Sequence, residues 1–206
     1  MFVDRKDAGE KLAKVLDKYR DDDAIVLAIP RGGVEVGCRV AEHLKADFSI
    51  IVSRKLPFPD NPEAGFGAVA EDGSLFVFGG AERLLPESVI EDIVREQKQV
   101  VKERIAILRS NKPFPDIGGR TVILVDDGIA MGSTMRASIM MCSNKGAGEI
   151  VVAVPVTGAQ VEREISGLAD EVVVLETPPN FRAVAQVYEN WHDVSDFEVI
   201  DILNRQ

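Results

Sequence analysis

The chain has 206 residues, of which 46% are hydrophobic and 28% are charged, and its formal net charge is −10. This composition fits one globular domain with a small appendage, and the negative charge without a basic cluster argues against nucleic acid as a partner. Cys38 and Cys142 lack metal-ligand or disulfide spacing, and no apolar run approaches the roughly 18 residues of a membrane span, so we expect a cytoplasmic protein without membrane contact.

The first elements of the chain are predicted to alternate between helix and strand. Apolar spacing predicts an amphipathic helix over residues 7–19 and a buried strand over residues 24–29. A second helix over residues 34–44 and a second strand over residues 48–52 follow. This alternation is typical of an α/β fold with a doubly wound, mostly parallel sheet.

Pro30, Arg31, Gly32 and Gly33 fill the turn between the first predicted strand and the helix after it. Two adjacent glycines let the backbone approach a ligand closely, and the planar guanidinium of Arg31 suits phosphate oxygens. A phosphate-binding turn is therefore one interpretation of this segment. An ordinary structural turn is the other, because Pro and Gly are common turn residues.

Arg54 and Lys55 directly follow the second predicted strand. If the strands are parallel, both cations lie at the same sheet edge as the turn at residues 30–33. Three prolines and a glycine between residues 56 and 65 predict an irregular loop that can move over a site. The alternative is a solvated Arg-Lys pair on a surface turn.

A hairpin and a long helix are predicted next. Residues 67–70 and 75–78 flank the sequence Glu-Asp-Gly-Ser at 71–74, a pattern typical of a hairpin with a tight turn. A charged helix is then predicted over residues 85–108, with Pro86 in its first turn. Its many charges indicate a solvated face, and the helix could also support a homodimer.

The segment most informative about function covers residues 122–134, with the sequence VILVDDGIAMGST. The apolar run predicts a strand buried on both faces, and Asp126 and Asp127 would lie at its carboxyl edge, where ligands bind in open α/β sheets. The small residues that follow would expose backbone N–H groups suited to a phosphate. Neither the Walker spacing nor the dinucleotide fingerprint is present. A strand followed by an incidental acidic turn is the remaining alternative.

The last part of the chain first continues the alternation and then breaks it. The predicted elements are a helix over residues 135–145, a strand over 149–155, a helix over 159–168 and a strand over 171–175. After two prolines, aromatic residues become frequent, among them Phe181, Tyr188, Trp191 and Phe197. Aromatic residues at helical spacing are usually buried, so a core stripe is one interpretation of this cluster.

The order of motifs along the chain resembles that of the type I phosphoribosyltransferases. The resemblance rests on residues 122–134 and is extended by Pro-Arg-Gly-Gly, Arg-Lys-Leu, Asn-Pro-Glu, Glu-Asp-Gly and Phe-Arg-Ala-Val, an order similar to that of a poorly characterised bacterial and archaeal branch. It implies a doubly wound, mostly parallel sheet with a β-hairpin and a long-helix insertion. It also implies one domain over residues 1–206, with a core over residues 20–175 and a C-terminal hood over residues 176–206.

This resemblance implies an enzyme that transfers the phosphoribosyl group from 5-phosphoribosyl 1-pyrophosphate to a nitrogenous base, with Mg²⁺ as cofactor. Asp126 and Asp127 would bind the ribose hydroxyls and the metal, directly or through water. Arg54 and Lys55 would assist the departure of pyrophosphate. The 5′-phosphate would lie in the loop of Gly128, Ile129, Ala130, Met131, Gly132, Ser133 and Thr134, and pyrophosphate would contact Arg31, Gly32 and Gly33. In the hood, Phe181 is the candidate for stacking on the base.

Two residues depart from the family pattern. Met131 stands where the family usually has Thr, so one hydroxyl contact to the phosphate is missing. Ala130 stands where the 6-oxopurine enzymes have an Asp that assists at the base, which disfavours hypoxanthine and guanine as acceptors. The sequence therefore leaves the identity of the acceptor base open. A non-catalytic protein that senses phosphoribosyl pyrophosphate or a nucleotide is the alternative function.

Overall fold

Helices and strands alternate along the chain in the computed structural model, which describes residues 1–205. The strands are β1 (Ala24–Ala28), β2 (Asp47–Ile50), β3 (Ser53–Phe58), β4 (Asn61–Ala70), β5 (Leu75–Val77), β6 (Thr121–Val125), β7 (Glu149–Val156) and β8 (Glu171–Glu176). The α-helices are α1 (Arg5–Val15), α2 (Gly33–Leu44), α3 (Ala81–Leu84), α4 (Glu87–Arg109), α5 (Ser133–Asn144), α6 (Ala159–Ser166) and α7 (Asp196–Arg205). Short 3₁₀ turns cover Asp17–Tyr19 and Val184–Val187. Within residues 1–205, no helix is long and apolar enough to cross a bilayer.

Five parallel strands form the central sheet in the order β2-β1-β6-β7-β8. The doubly wound prediction is confirmed, since α1 and α2 pack on one face and α5 and α6 on the other. Side chains alternate between the faces along a strand, so Ile25 and Leu27 contact the α5 layer and Val26 contacts the α2 layer. Ala28 pairs with Val125, which places the carboxyl ends of β1 and β6 side by side. In such sheets this switch point between neighbouring strands is where ligands bind.

A second, smaller sheet contains the antiparallel strands β3, β4 and β5. The connection from β4 to β5 is the predicted hairpin, with Gly73 in its turn at φ +93°. Helices α4 and α7 pack beside this sheet in an apolar cluster that includes Leu56, Phe66, Val101 and Val199. The small sheet and the long helix therefore form a layer of their own next to the edge of the central sheet.

The prediction of an irregular loop over residues 56–65 is wrong. Most of this segment belongs to a hairpin in which β3 pairs with β4. Pro57 is tolerated because β3 is an edge strand and the register shifts on both sides of this residue, so its missing N–H breaks no regular ladder. As a consequence, Arg54 and Lys55 lie on β3 in the small sheet, whereas the parallel strand β2 ends earlier, at Ile50.

A buried ion pair joins the small sheet to the long helix. Glu71, after β4, and Arg109, at the end of α4, have side chains that are only 6% and 8% exposed. Their two hydrogen bonds measure 2.5 and 3.1 Å. Glu71 also accepts a hydrogen bond from the backbone N–H of Val52 at 3.1 Å. The C-terminal end of α4 is therefore fixed to the chain that leaves β2.

Candidate active site

Two adjacent carboxylates stand at the carboxyl end of β6. The backbone N–H of Asp127 donates to Oδ1 of Asp126 at 2.8 Å, which orients the first carboxylate. Burial, reinforced by the negative charge of Asp127, raises the pKa of Asp126 well above its usual range. Burial also raises the pKa of Asp127, although the positive charge of Arg5 opposes that shift. The pair places partly desolvated carboxyl oxygens side by side, where a cation or hydroxyl groups can satisfy them.

The turn at residues 30–33 lies directly against this acid pair. A Cβ atom at Gly32 would stand 1.8 Å from Oδ2 of Asp127, and one at Gly33 would stand 2.9 Å from Cα of Asp126. Both positions therefore require glycine for close contact. The Pro30–Arg31 peptide bond is cis. The structure thus brings together two motifs that are about 95 positions apart in the chain.

Residues 128–132 form a tight loop between β6 and α5. Gly132 has φ +77°, a conformation that favours glycine, and a Cβ at Gly128 would stand 2.7 Å from Val156 Cγ1. The first helical hydrogen bond of α5 runs from the N–H of Arg136 to the carbonyl of Gly132, and no side chain caps this end. The preceding N–H groups of the first turn have no helical acceptor, so they can donate to an anion.

The buried side chain of Arg136 holds the backbone of this loop. Arg136 is 4% exposed, and its Nη1 donates to the carbonyl of Met131 at 2.7 Å. It is paired with Glu164 and lies over the rings of Phe76 and Phe78, at 5.2 and 5.6 Å from their centroids.

A second contact holds the loop at Ile129, whose carbonyl accepts a hydrogen bond from Thr157 Oγ1 at 2.9 Å. The Met131 side chain is 64% exposed. The backbone of the loop is therefore held at two carbonyls while its outer surface is open.

Arg5, at the start of α1, is the main residue of the site that the sequence did not indicate. Its Nε donates to Oδ2 of Asp127 at 2.8 Å, and its Nη1 donates to the carbonyl of His192 at 2.9 Å. The guanidinium lies 3.9 Å from the ring centroid of Trp191. Arg5 is only 4% exposed, and its buried guanidinium has an acid, a carbonyl and an aromatic face as partners. No local pattern in the sequence marks a single arginine near the start of a helix.

The C-terminal segment also contacts Asp127. Tyr188 Oη donates to the carbonyl of Asp127 at 2.7 Å, and its ring lies 5.2 Å from that of Trp191. Phe181 is half-buried and packs against the apolar cluster that contains Phe2 and Val156. The structure thus places Phe181 beside the strand that borders the loop at residues 128–132, because the N–H of Ile129 donates to the carbonyl of Val156.

The predicted cations divide into two groups. Arg31 and Arg54 line one cleft, together with Pro30 and Ser53. Lys55 lies along the hairpin instead, where its Nζ donates to the carbonyl of Glu63 at 2.6 Å. The structure therefore brings Arg54 close to the turn at residues 30–33 and does not bring Lys55 there.

Asp126 and Asp127 have the donor atoms that suit Mg²⁺, which prefers carboxylate oxygens and keeps several waters. Oδ2 of Asp127 already accepts from Arg5, and Oδ1 of Asp126 accepts from the backbone N–H of Asp127. A metal held by one carboxylate oxygen, with the second acid beside it, fits this arrangement. Glu35, His192 and Glu198 also have ligand atoms within 4.8 Å of one another, but His192 and Glu198 pair with each other and Glu35 lies 3.7 Å from Arg5.

Comparison with known sequences places this chain in a family. The model of the phosphoribosyl transferase domain matches residues 4–190. A Mycobacterium tuberculosis protein named "putative phosphoribosyl transferase" is 38% identical over 207 residues, which is 100% of this chain and 47% of the relative. A ribose-phosphate pyrophosphokinase of Mycobacterium bovis is 34% identical over 73 residues, which is 34% of this chain and 22% of that enzyme. The chain thus spans about half the length, or less, of the curated relatives it matches.

Solved structures share the fold of this chain. The crystal structure of TT1426 from Thermus thermophilus has a TM-score of 0.84 and 36% identity, and the match covers 100% of this chain and 98% of that one. A purine phosphoribosyltransferase from Pyrococcus horikoshii has a TM-score of 0.51 and 16% identity over 91% and 90% of the two chains, a likeness of fold alone. Since the family model covers most of the sequence, including both glycine-containing turns and the acid pair, the chain belongs to the phosphoribosyl transferase domain family.

Proposed function

We propose that the protein is a Mg²⁺-dependent phosphoribosyltransferase that uses 5-phosphoribosyl 1-pyrophosphate and a nitrogenous base and releases pyrophosphate. The observation that carries this proposal is the contact of Gly32 and Gly33 with Asp126 and Asp127. A pyrophosphate-binding turn, an acid pair for the ribose and a loop for the 5′-phosphate then follow one another around the carboxyl ends of β1 and β6. The pyrophosphate, the ribose and the 5′-phosphate follow one another in the same order in phosphoribosyl pyrophosphate.

In the proposed reaction, the bond from C1′ to the pyrophosphate oxygen breaks, and a nitrogen of the base forms the new bond to C1′. Pyrophosphate leaves with the bonding electrons, and positive charge develops on the ribose ring. Carboxylates stabilise that charge best when they are held in fixed positions before the reaction. Arg5 and Tyr188 hold Asp127 by its side chain and its carbonyl. A bound Mg²⁺ would supply further neutralisation of the phosphate charges.

The 5′-phosphate is proposed to lie against the open side of the loop at residues 128–134. The N–H groups of the first turn of α5, with the hydroxyls of Ser133 and Thr134, are suitable donors. On the base side, Phe181 remains the proposed stacking residue. Ala130 brings no carboxylate to the base, which continues to disfavour a 6-oxopurine acceptor.

Calorimetry tests the binding step directly. We expect phosphoribosyl pyrophosphate with Mg²⁺ to bind the wild-type protein and the Asp127→Ala variant to lose that binding, because the ribose ligand is removed. Asp92→Asn is the matched control, since Asp92 is 70% exposed on α4 and pairs only with Arg95 within the described chain. Absence of binding to the wild-type protein, or equal binding to Asp127→Ala, would contradict the proposal.

Pyrophosphate release with a panel of bases tests the chemical step. A transferase releases pyrophosphate with at least one base and forms the corresponding nucleoside monophosphate. Binding of the sugar pyrophosphate without release from any base in the panel would instead indicate a sensor, the alternative function.

A further inference from the structure

A cleft next to the turn at residues 30–33 contains an arginine that has no role in the site described above. The cleft has a volume of about 350 Å³, in the range typical of small-molecule pockets. Its charged wall consists of Arg31 from the turn after β1, Arg54 from β3 and Arg104 from α4. The residues that line it include no carboxylate. Three separate elements of the fold thus direct cations toward one space.

One carboxylate reaches this group of arginines from the C-terminal helix. Asp196, the first residue of α7, accepts two hydrogen bonds from Arg104, at 2.6 and 2.8 Å. It also lies 3.9 Å from Nη1 of Arg31. This is the planar, two-point geometry in which a guanidinium binds either a carboxylate or a phosphoryl group. Asp196 therefore occupies a position that an anion of the substrate could take.

The charges around the cleft are not balanced by Asp196 alone. Within residues 1–205, Arg54 makes no ion pair and no side-chain hydrogen bond. Burial and the positive charges of Arg104 and Arg31 lower the pKa of Arg54, which lines the same cleft as both of them. In a chain with a net charge of −10, three arginines facing one carboxylate form a local positive site.

We propose that Arg104 is a further pyrophosphate-binding residue, and that Asp196 holds Arg104 and Arg31 in place until the phosphate groups of the ligand displace it. This inference rests on the proposed function, and it adds to it a residue from α4 and a competing carboxylate from α7. Arg104 then binds the leaving group together with Arg31 and Arg54, while α7 is released from α4 when the site fills.

Calorimetry with inorganic pyrophosphate and Mg²⁺ tests this proposal through two opposite effects. Arg104→Gln removes a charged donor pair, so we expect affinity to fall by about tenfold or more. Asp196→Asn removes the competing carboxylate, so we expect affinity to rise. Both substitutions break the same ion pair. A merely structural contact between α4 and α7 would therefore change the affinity in the same direction in both variants.

Matched controls lie on the same two helices. Arg95→Gln on α4 and Asp201→Asn on α7 each break a surface pair, with Asp92 and with Arg205, and should leave affinity unchanged. Inorganic phosphate and phosphoribosyl pyrophosphate are titrated in parallel, and the inference requires that the Arg104→Gln effect be larger for the two pyrophosphate ligands. No binding of pyrophosphate by the wild-type protein, or changes of the same sign in Arg104→Gln and Asp196→Asn, would overturn the inference.

Failure of the inference can be told apart from failure of the proposed function. If the wild-type protein forms a nucleotide and neither substitution alters pyrophosphate affinity, Arg104 has no part in the site although the enzyme activity stands. If pyrophosphate shows the opposite effects but no base is phosphoribosylated, the cleft stands and the transferase proposal fails.

Discussion

Arg5 donates a hydrogen bond to Asp127 across 122 positions of the chain, and this bond joins the start of α1 to the end of β6. The same guanidinium contacts the carbonyl of His192 and the ring of Trp191. The acid pair is therefore held by the first helix and the C-terminal segment together. Geometry at the proposed ribose site depends on residues from both ends of the described chain.

Replacement of Arg5 tests that dependence. In Arg5→Gln, Asp127 loses its ion pair in a largely buried position, and we expect the free energy of unfolding to fall by roughly 3 kcal/mol. Trp191 is the only tryptophan in the sequence, so its fluorescence reports the loss of the stacked guanidinium. Urea denaturation and emission spectra measure both effects. Lys6→Gln is the control, because Lys6 is 64% exposed, and an equal loss there would refute the specific role of Arg5.

A methyl group at position 32 is predicted to disrupt the site without unfolding the protein. The Cβ of Gly32→Ala would stand 1.8 Å from Oδ2 of Asp127, so either the turn or the acid must move. A displacement of about 1 Å at an active site can reduce turnover by about 100-fold. Gly79→Ala is the control, since a Cβ there meets no atom within 4 Å. Turnover and circular dichroism of both variants are compared, and an active Gly32→Ala protein would contradict this geometry.

The Glu71 and Arg109 pair is predicted to be the most costly ion pair to break. Glu71→Gln leaves the Arg109 charge buried without its partner, and we expect a loss of roughly 3–5 kcal/mol in the free energy of unfolding. Asp92→Asn breaks an exposed pair on the same helix and should cost less than about 1 kcal/mol. Chemical denaturation of the two variants gives the comparison. Similar losses in both would show that burial does not set the cost.

The stability contributed by the start of α7 is predicted to depend on pH. Ser195 and Glu198 form a capping box, in which Glu198 accepts from the N–H and Oγ of Ser195, and these bonds lower the pKa of Glu198 to about 2. Because this pKa is depressed in the folded state, the stabilisation is present above the ordinary value of 4.5 and is lost as pH falls toward about 2.

We therefore expect Glu198→Gln to be less stable than the wild-type protein at pH 6, with the difference disappearing as the pH is lowered to about 2. Denaturation midpoints over this pH range measure the effect. Ser195→Ala removes the hydroxyl bonds with Glu198 but keeps the bond from the backbone N–H, so it should lose part of the same stabilisation at pH 6. A stability difference that grows toward low pH would refute the assignment of the cap.

The central sheet could be predicted because each of its inner strands is a short apolar run followed by turn residues. The runs around Val26 and Ile123 are buried on both faces, and parallel pairing places the motifs after them at one edge. The hairpin of β3 and β4 could not be recognised in this way. Its prolines are typical of loops, and only the edge position and the register shifts around Pro57 make them compatible with a strand.

The residues that position the candidate site have weaker signatures in the sequence than the residues in its loops. Glycines and acids in turns have local signatures, so the sequence alone indicates the segments at residues 30–33 and 126–134. Arg5 and Arg104 have partners 122 and 92 positions away, and nothing in their neighbouring residues indicates those partners. Single long-range ion pairs of this kind become visible only when the fold is known.

The fixed end of α4 has a consequence for how this helix can move. Arg109 is held by Glu71 at the C-terminal end, whereas the opposite end at Glu87 lies about 33 Å away at the usual helical rise. Arg104 lies only about 7.5 Å from the fixed end. Any tilting of the helix about Arg109 therefore displaces Arg104 by less than a quarter of the shift at Glu87. A tilt of the long helix would therefore leave the arginine in the cleft nearly in place.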